Sequence, residues 1–213
     1  MKNLLILVAI LGLNAIKINA QHTEKRNVGT YEGIHVAGSY AVKLVSGTEG
    51  TIELKGGPDD LDKIETEVRK GTLLIKQQEK SWFGNWDSGT VYITIPVEKI
   101  NKVILSGSGE IHSKVPLEGG HFKTILSGSG EISLNLEVTA VNGTVTGSGE
   151  ITLIGKANKV NFTVTGSGDI DAGDIKADTG EAKITGSGDI ICKGKPEKQI
   201  TKVTGSGDII IRD

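Results

Sequence analysis

A five-residue motif recurs six times in the second half of the chain: Gly107-Ser108-Gly109-Glu110-Ile111 returns at Gly128, Gly147, Gly166, Gly186 and Gly205, at steps of 21, 19, 19, 20 and 19 residues. A near-constant motif at near-constant spacing means one structural unit laid down repeatedly. In Val141-Asn142-Gly143-Thr144-Val145-Thr146-Gly147-Ser148-Gly149-Glu150-Ile151-Thr152-Leu153 the odd positions are apolar or Gly and the even ones polar. That period of two is the signature of strand. It runs through the glycines, so Gly147 and Gly149 should face the interior and Thr146, Ser148 and Glu150 solvent.

A unit of about twenty residues that buries four or five aliphatic side chains cannot offset a backbone ordering cost of about 1–2 kcal/mol per residue. The units must therefore stack. Coils ~4.8 Å apart hydrogen-bond to the coils above and below and place equivalent residues in ladders. The expected inner ladders are Ile111, Ile132, Ile151, Ile170, Ile190, Ile209 and Leu105, Leu126, Val145, Val164, Ile184, Val203. Leucine-rich, hexapeptide and nonapeptide solenoids have other beats. The expected fold class is thus all-β: a single-stranded parallel β-helix (β-solenoid) with 19–21-residue coils, right-handed by the general handedness of parallel crossovers.

The first half is less regular. Residues 1–20 carry Lys2, the apolar run Leu4 to Leu13 and a polar patch ending at Ala20, the order of a cleavable signal peptide and too short for a spanning helix. Residues 21–100 are expected to form a β-rich capping region continuous with the six-coil solenoid of 101–213. Val36-Ala37-Gly38-Ser39-Tyr40-Ala41-Val42 aligns with the repeat as a degenerate seventh copy that begins the stack. Strands are expected at Thr51 to Leu54 and at Val91 to Ile95, the latter closed by Pro96. Ile64 to Val68 and Thr72 to Ile75, separated by Lys70-Gly71, read as a hairpin in preference to a helix. The C-terminal coil, Thr204 to Ile211, lacks an evident cap, so a homo-oligomer through coil ends or edges is expected to be accessible.

Composition narrows the function. Without residues 1–20 the chain has 22 basic and 26 acidic residues, a charge of −4, and no basic stripe, which argues against nucleic acid. The single cysteine, Cys192, rules out an internal disulfide and reads as a small interior residue. His22, His35, His112 and His121 lack ligand spacing.

Two groups of residues are candidate sites. The first is an outward acid ladder, Glu110, Glu131, Glu150, Asp169, Asp189 and Asp208, flanked by Ser108, Ser129, Ser148, Ser167, Ser187, Ser206 and by a second hydroxyl row at Ser106, Ser127, Thr146, Thr165, Thr185 and Thr204. Carboxylates ~4.8 Å apart repel by roughly 1 kcal/mol per neighbour in water. A row of Ca2+ ions could relieve this, or the face could serve glycans or mineral surfaces. The alternative is relief by water, hydroxyls and nearby Lys102, Lys123, Lys183 and Lys202, and it is favoured because each coil offers one carboxylate whereas Ca2+ collects six to eight oxygens. The second group is Trp82-Phe83-Gly84-Asn85-Trp86, which holds both tryptophans. Trp82, Phe83 and Trp86 suit a stacking platform for sugar or a partner surface, and equally a plug over the core's end.

The order of a signal peptide, a strand with Val36-x-Gly38-Ser39, the segment Leu61 to Val68 followed by Gly71-Thr72-Leu73, a strand ending at Pro96 and the repeated Gly-Ser-Gly-Glu/Asp-Ile resembles the bacterial autotransporter adhesin family with a head GIN domain. The resemblance spans residues 28–213 and implies a secreted or outer-envelope β-helical protein, with no catalytic residues to carry over. With Arg212-Asp213 directly after the last coil, no membrane-barrel translocator is expected.

Catalysis by paired carboxylates needs groups in unlike environments, and here they repeat uniformly, so an enzyme is the least favoured reading. The expectation is a non-enzymatic, exported adhesin-like protein in the periplasm, outer envelope or extracellular space, with a glycan or surface protein as partner, no membrane span and no required cofactor. A self-associating structural envelope protein is the alternative.

Overall fold

Residue 131 lies on residue 150, residue 132 on 151, and so through Gly147 on Gly166 with a single position skipped, so two successive coils pair in parallel over almost their whole length. The chain achieves this because the alternation seldom breaks: polar residues face water at every other position while Ile, Leu and Val face in. The computed structural model describes residues 21–78, 89–193 and 198–212. The expected leader at 1–20 and the aromatic group Trp82, Phe83 and Trp86 lie outside the described residues.

The chain begins with four short strands, β1 (His22–Asn27), β2 (Gly33–Ala37), β3 (Ala41–Ser46) and β4 (Thr51–Gly56), then the single helical turn α1 (Pro58–Leu61). β5 (Ile64–Arg69), β6 (Thr72–Gln77), β7 (Tyr92–Val97) and β8 (Lys102–Gly107) follow. The long coils are β9 (Glu110–Gly128), β10 (Glu131–Gly147) and β11 (Glu150–Gly166). The last coils divide into β12 (Asp169–Lys176) with β13 (Thr179–Gly186), and β14 (Ile190–Lys193) with β15 (Lys198–Gly205), before β16 (Ile209–Arg212).

Both expected inner ladders form. Ile111, Ile132, Ile151, Ile170, Ile190 and Ile209 lie in register, as do Leu105, Leu126, Val145, Val164, Ile184 and Val203. All are fully buried except in the final coil, where Ile209 is half-buried and Val203 is 43% exposed, because no further coil covers them. Whereas β9 buries Ile111, Leu117 and Leu126 beside Phe122, β10 buries more than the expected four or five aliphatics: Ile132, Leu134, Leu136, Val138, Ala140, Val141 and Val145 all point inward. The count rises because Ala140 and Val141 are both buried, a corner at which the alternation shifts phase and the strand turns without a loop.

The irregular steps are absorbed at one corner. The 21-residue coil places two extra residues between His112, opposite Ser133, and Pro116, opposite Asn135. The 20-residue coil places one between Asp171, opposite Thr152, and Asp174, opposite Ile154. These bulges leave the Gly-Ser-Gly corners in register.

The first half departs from serial order. The degenerate copy stacks as expected on the solenoid, Val36 against Leu105 and Val42 against Ile111. It does not begin the stack, however. β6 pairs in parallel with the other edge of β2, and β7 with the other edge of β3, so a layer later in sequence lies beneath it. Below that layer the direction reverses: β5 returns antiparallel on β6 through Lys70-Gly71, both at positive φ (48° and 72°), the turn the hairpin requires. β4 pairs antiparallel with β7 and β1 with β4. Arg26 ties this cap together, donating to the carbonyls of Leu61 and Ile64. Pro96 does not close β7, which continues to Val97. β4 pairs β7 only at Tyr92 to Thr94, so the absent N–H of Pro96 costs no bond on that side, and its carbonyl accepts from the Tyr31 hydroxyl at 2.6 Å.

Candidate functional site

The Gly-Ser-Gly corner is built by backbone contact. The Gly128 carbonyl accepts from both Ser148 N (3.0 Å) and Gly149 N (3.1 Å), and Gly130 O accepts from Glu150 N (3.1 Å). The coils approach so closely here that a Cβ on Gly147 would run into Gly128 O, and one on Gly149 into Gly130 O. Gly147 also adopts φ +122°. The serine between them is free of both constraints and projects to solvent. Along this corner Ser108, Ser129 and Ser148 with Glu110, Glu131 and Glu150 line a shallow groove of about 450 Å3, which extends over Ser39, Tyr40, Ala41 and Thr90 of the cap.

The acid ladder is present in register, but its members divide. Glu110, Glu131 and Glu150 line the groove; Glu110 meets His112 Nε2 at 3.3 Å and Glu150 meets the Thr152 hydroxyl at 3.4 Å. Asp169 and Asp189 serve the backbone instead: Asp189 N donates to Asp169 Oδ1, and Asp208 N to Asp189 Oδ1, each at 2.7 Å. The shorter side chain reaches the next coil's amide where glutamate does not. Repulsion along the lower ladder is thus relieved by amide donors. Among the described residues no lysine stands within ion-pair distance of a ladder carboxylate, and Lys102 donates to the Thr72 hydroxyl. Among the described residues no three His, Cys, Asp or Glu side chains gather to hold a metal ion.

The outer hydroxyl row Ser106, Ser127, Thr146, Thr165, Thr185 and Thr204 is also in register. At its cap end Ser106 Oγ meets His35 Nε2 at 3.0 Å, and burial, then the Lys102 charge, holds the His35 pKa below its usual value. Cys192 stacks between Ala172 and Ile211, and burial, then the charge of Asp171, raises its pKa to about 11. Its thiol is accordingly a packing group.

One exposed residue beside the groove carries no signal in the repeat. Tyr92, 49% exposed, stands next to Ala41, which in turn stands next to Glu110. The alternation Val91-Tyr92-Ile93-Thr94-Ile95 places it outward, so it is legible once β7 is recognised as paired.

Comparison with known proteins gives a family and a fold. The family model described as "Putative auto-transporter adhesin, head GIN domain" matches residues 30–212. A putative adhesin of Bacteroides fragilis is similar in structure at a TM-score of 0.82 and 21% identity, over 90% of this chain and 96% of that one. A putative lipid binding protein of Parabacteroides distasonis gives 0.64 and 23%, over 91% and 97% of the two chains. A putative adhesin of Parabacteroides merdae gives 0.62 and 17%, over 91% and 96%. At these identities the likeness speaks for the β-solenoid fold alone. A search of curated proteins gave no match.

Proposed function

The chain belongs to the putative auto-transporter adhesin, head GIN domain family, and on that premise we propose that it is a non-enzymatic, exported adhesin-like protein whose outward polar face contacts a glycan or surface protein. The observation that carries this reading is the groove beside the Gly-Ser-Gly corners, where carboxylates and hydroxyls repeat in register on a rigid backbone. Such a surface offers regularly spaced hydrogen-bonding groups on a backbone that is already ordered, so binding costs the ordering of their side chains alone. The groove carboxylates are all exposed to solvent, which disfavours a division into acid and base. No helix of the described residues is long and apolar enough to cross a membrane.

A glycan array probed with the chain lacking residues 1–20, in calcium and in chelator, tests the reading. Binding that is lost when Glu110, Glu131 and Glu150 are changed together to Gln supports it. An array and a whole-cell binding assay that both stay blank reject it. Calcium is expected to be dispensable, with the same binding in both buffers.

The structural alternative has its own observation. The outer edges of β15 and β16 have no ladder partner among the described residues, and Ile200, Val203 and Ile210 are exposed there. At the opposite end the outer edges of β1 and β5 also have no ladder partner among the described residues. Self-association can therefore run as a two-fold dimer through one end or head to tail between the two. Sedimentation that shows a monomer at high concentration rejects it.

A further inference from the structure

We propose that the junction of cap and solenoid is a subsite for one pyranose unit of a neutral glycan, with Tyr92 as the stacking wall, Ala41 as the floor and Glu110 as the hydrogen-bonding wall. The proposal rests on the binding-protein reading above and specifies where the glycan is held.

Lys55, Tyr92, Ala41, Glu110 and Glu131 succeed one another across β4, β7, β3, β9 and β10. They share the outward face, because the alternate residues Leu54, Ile93, Val42, Ile111 and Ile132 are buried. In the alignment of the degenerate copy with the repeat, Ala41 occupies the position at which all six regular copies carry Glu or Asp. The acid row therefore ends against a methyl group, at the rung flanked by an exposed ring. Adjacent strands lie ~4.8 Å apart, so Tyr92 and Glu110 stand about 10 Å apart across this notch. That spacing admits one sugar ring with its van der Waals envelope.

The notch opens into a depression of about 600 Å3, also lined by Lys43, Thr94, His112 and Ser133. Glu110 is held through Oε2 by His112 Nε2 at 3.3 Å, which leaves Oε1 to accept. A carboxylate oxygen beside an aromatic face matches a pyranose, whose C–H face packs on a ring while its hydroxyls donate. Lys43, Lys55 and Lys114 stand around this depression against Glu53 and Glu110, an excess of one positive charge with both signs interspersed, so no strong field of one sign selects a charged sugar. The strands here are paired on both sides, which excludes addition of a peptide strand. A lipid chain would need a contiguous apolar surface, and the lining alternates ring, methyl, hydroxyl and charge.

The test is titration of the chain lacking residues 1–20 with methyl glucosides, galactosides and mannosides of both anomers, read by amide chemical-shift mapping and saturation transfer. At least one should bind with a Kd on the order of 1 mM, fitting for so small a ligand. Shifts should concentrate at Ala41, Tyr92, Thr94 and Glu110. Tyr92→Ala and Ala41→Leu should each weaken binding about tenfold with unchanged circular dichroism, while Lys159→Ala, exposed on β11 and outside both depressions, should leave it intact. Shifts confined to other rungs, undiminished binding by a folded Ala41→Leu variant, or no binding by any pyranoside would each overturn the subsite. The shift map of the parent chain decides the matter even where a variant fails to fold. Retained glycan-array or whole-cell binding by Ala41→Leu would overturn the subsite and leave the adhesin reading standing.

Discussion

Replacing Gly149 by alanine tests whether close backbone stacking at the Gly-Ser-Gly corner holds the solenoid together. Gly149 is outside the positive-φ set, so alanine there meets a steric problem without a conformational one. A Cβ would sit 2.6 Å from Leu126 Cδ2 and 3.0 Å from Gly130 N, and closer still to Gly130 O. The neighbouring coil is backbone and cannot rotate away as a side chain could. Overpacking of this kind costs about 1–3 kcal/mol. Separating the rungs also weakens the bonds from Glu150 N to Gly130 O (3.1 Å) and from Asp169 N to Gly149 O (3.0 Å), at about 1 kcal/mol each. The reduced entropy of the unfolded chain returns roughly 0.4–1 kcal/mol. The net is a loss of about 2–4.5 kcal/mol, a fall in Tm of roughly 4–18 °C for a chain this long. Thermal and urea unfolding followed by circular dichroism measure it. Ser148→Ala, one residue away and exposed, should stay within about 0.5 kcal/mol of the parent. A Gly149→Ala protein as stable as the Ser148→Ala protein would refute the argument.

Three further outcomes are expected. Ile151→Ala, in the middle of a fully buried ladder, should cost about 2–5 kcal/mol in urea unfolding, while Val203→Ala in the same solenoid, 43% exposed, should cost less than about 1; equal losses would contradict the ladder. With the Cys192 pKa near 11 against a usual value of about 9, its alkylation by iodoacetamide at pH 8 should run about a hundredfold slower than that of a free thiol and accelerate steadily up to about pH 11. His35 has a folded pKa below its unfolded value, so unfolding takes up a proton as pH falls below about 6.5. Stability should accordingly drop between pH 7 and the folded pKa, and His35→Gln should flatten that part of the curve; an unchanged slope would refute the assignment.

The solenoid was legible because its information is local and repeated. Ile132 and Ile151 are nineteen residues apart and meet, and the glycine corners fix the phase. The two bulges change coil length without moving a motif, so the alignment of motifs predicted the register of side chains. The hairpin of β5 and β6 was legible for a similar reason, its turn residues lying between two alternating runs. Other features depend on what packs against a segment and leave no periodic trace. The placement of β6 and β7 beneath β2 and β3 reverses the order that a serial reading of the degenerate copy suggests. Pro96 stays within a strand because its neighbour ends sooner. The division of the acid ladder follows from one methylene, since aspartate at 169 and 189 reaches an amide and glutamate at 131 and 150 does not. Tyr92 becomes a candidate only through Ala41, a residue unremarkable until its neighbours across the sheet are known.

The out-of-sequence position of β2 and β3 makes the two ends of the rod unequal in how they can be lost. Trimming from the rear removes a rung and leaves its neighbour as the new terminus. Cutting away the stretch up to Ser46 extracts a slab from between β6–β7 and β8–β9, parting two segments that follow each other in the chain. The earliest residues of this slab also wait longest, since Val42 finds its second neighbour only when Ile111 has emerged. Assembly is then interlocked at the front, and beyond the edge strand β1 the protein should wear away from the rear.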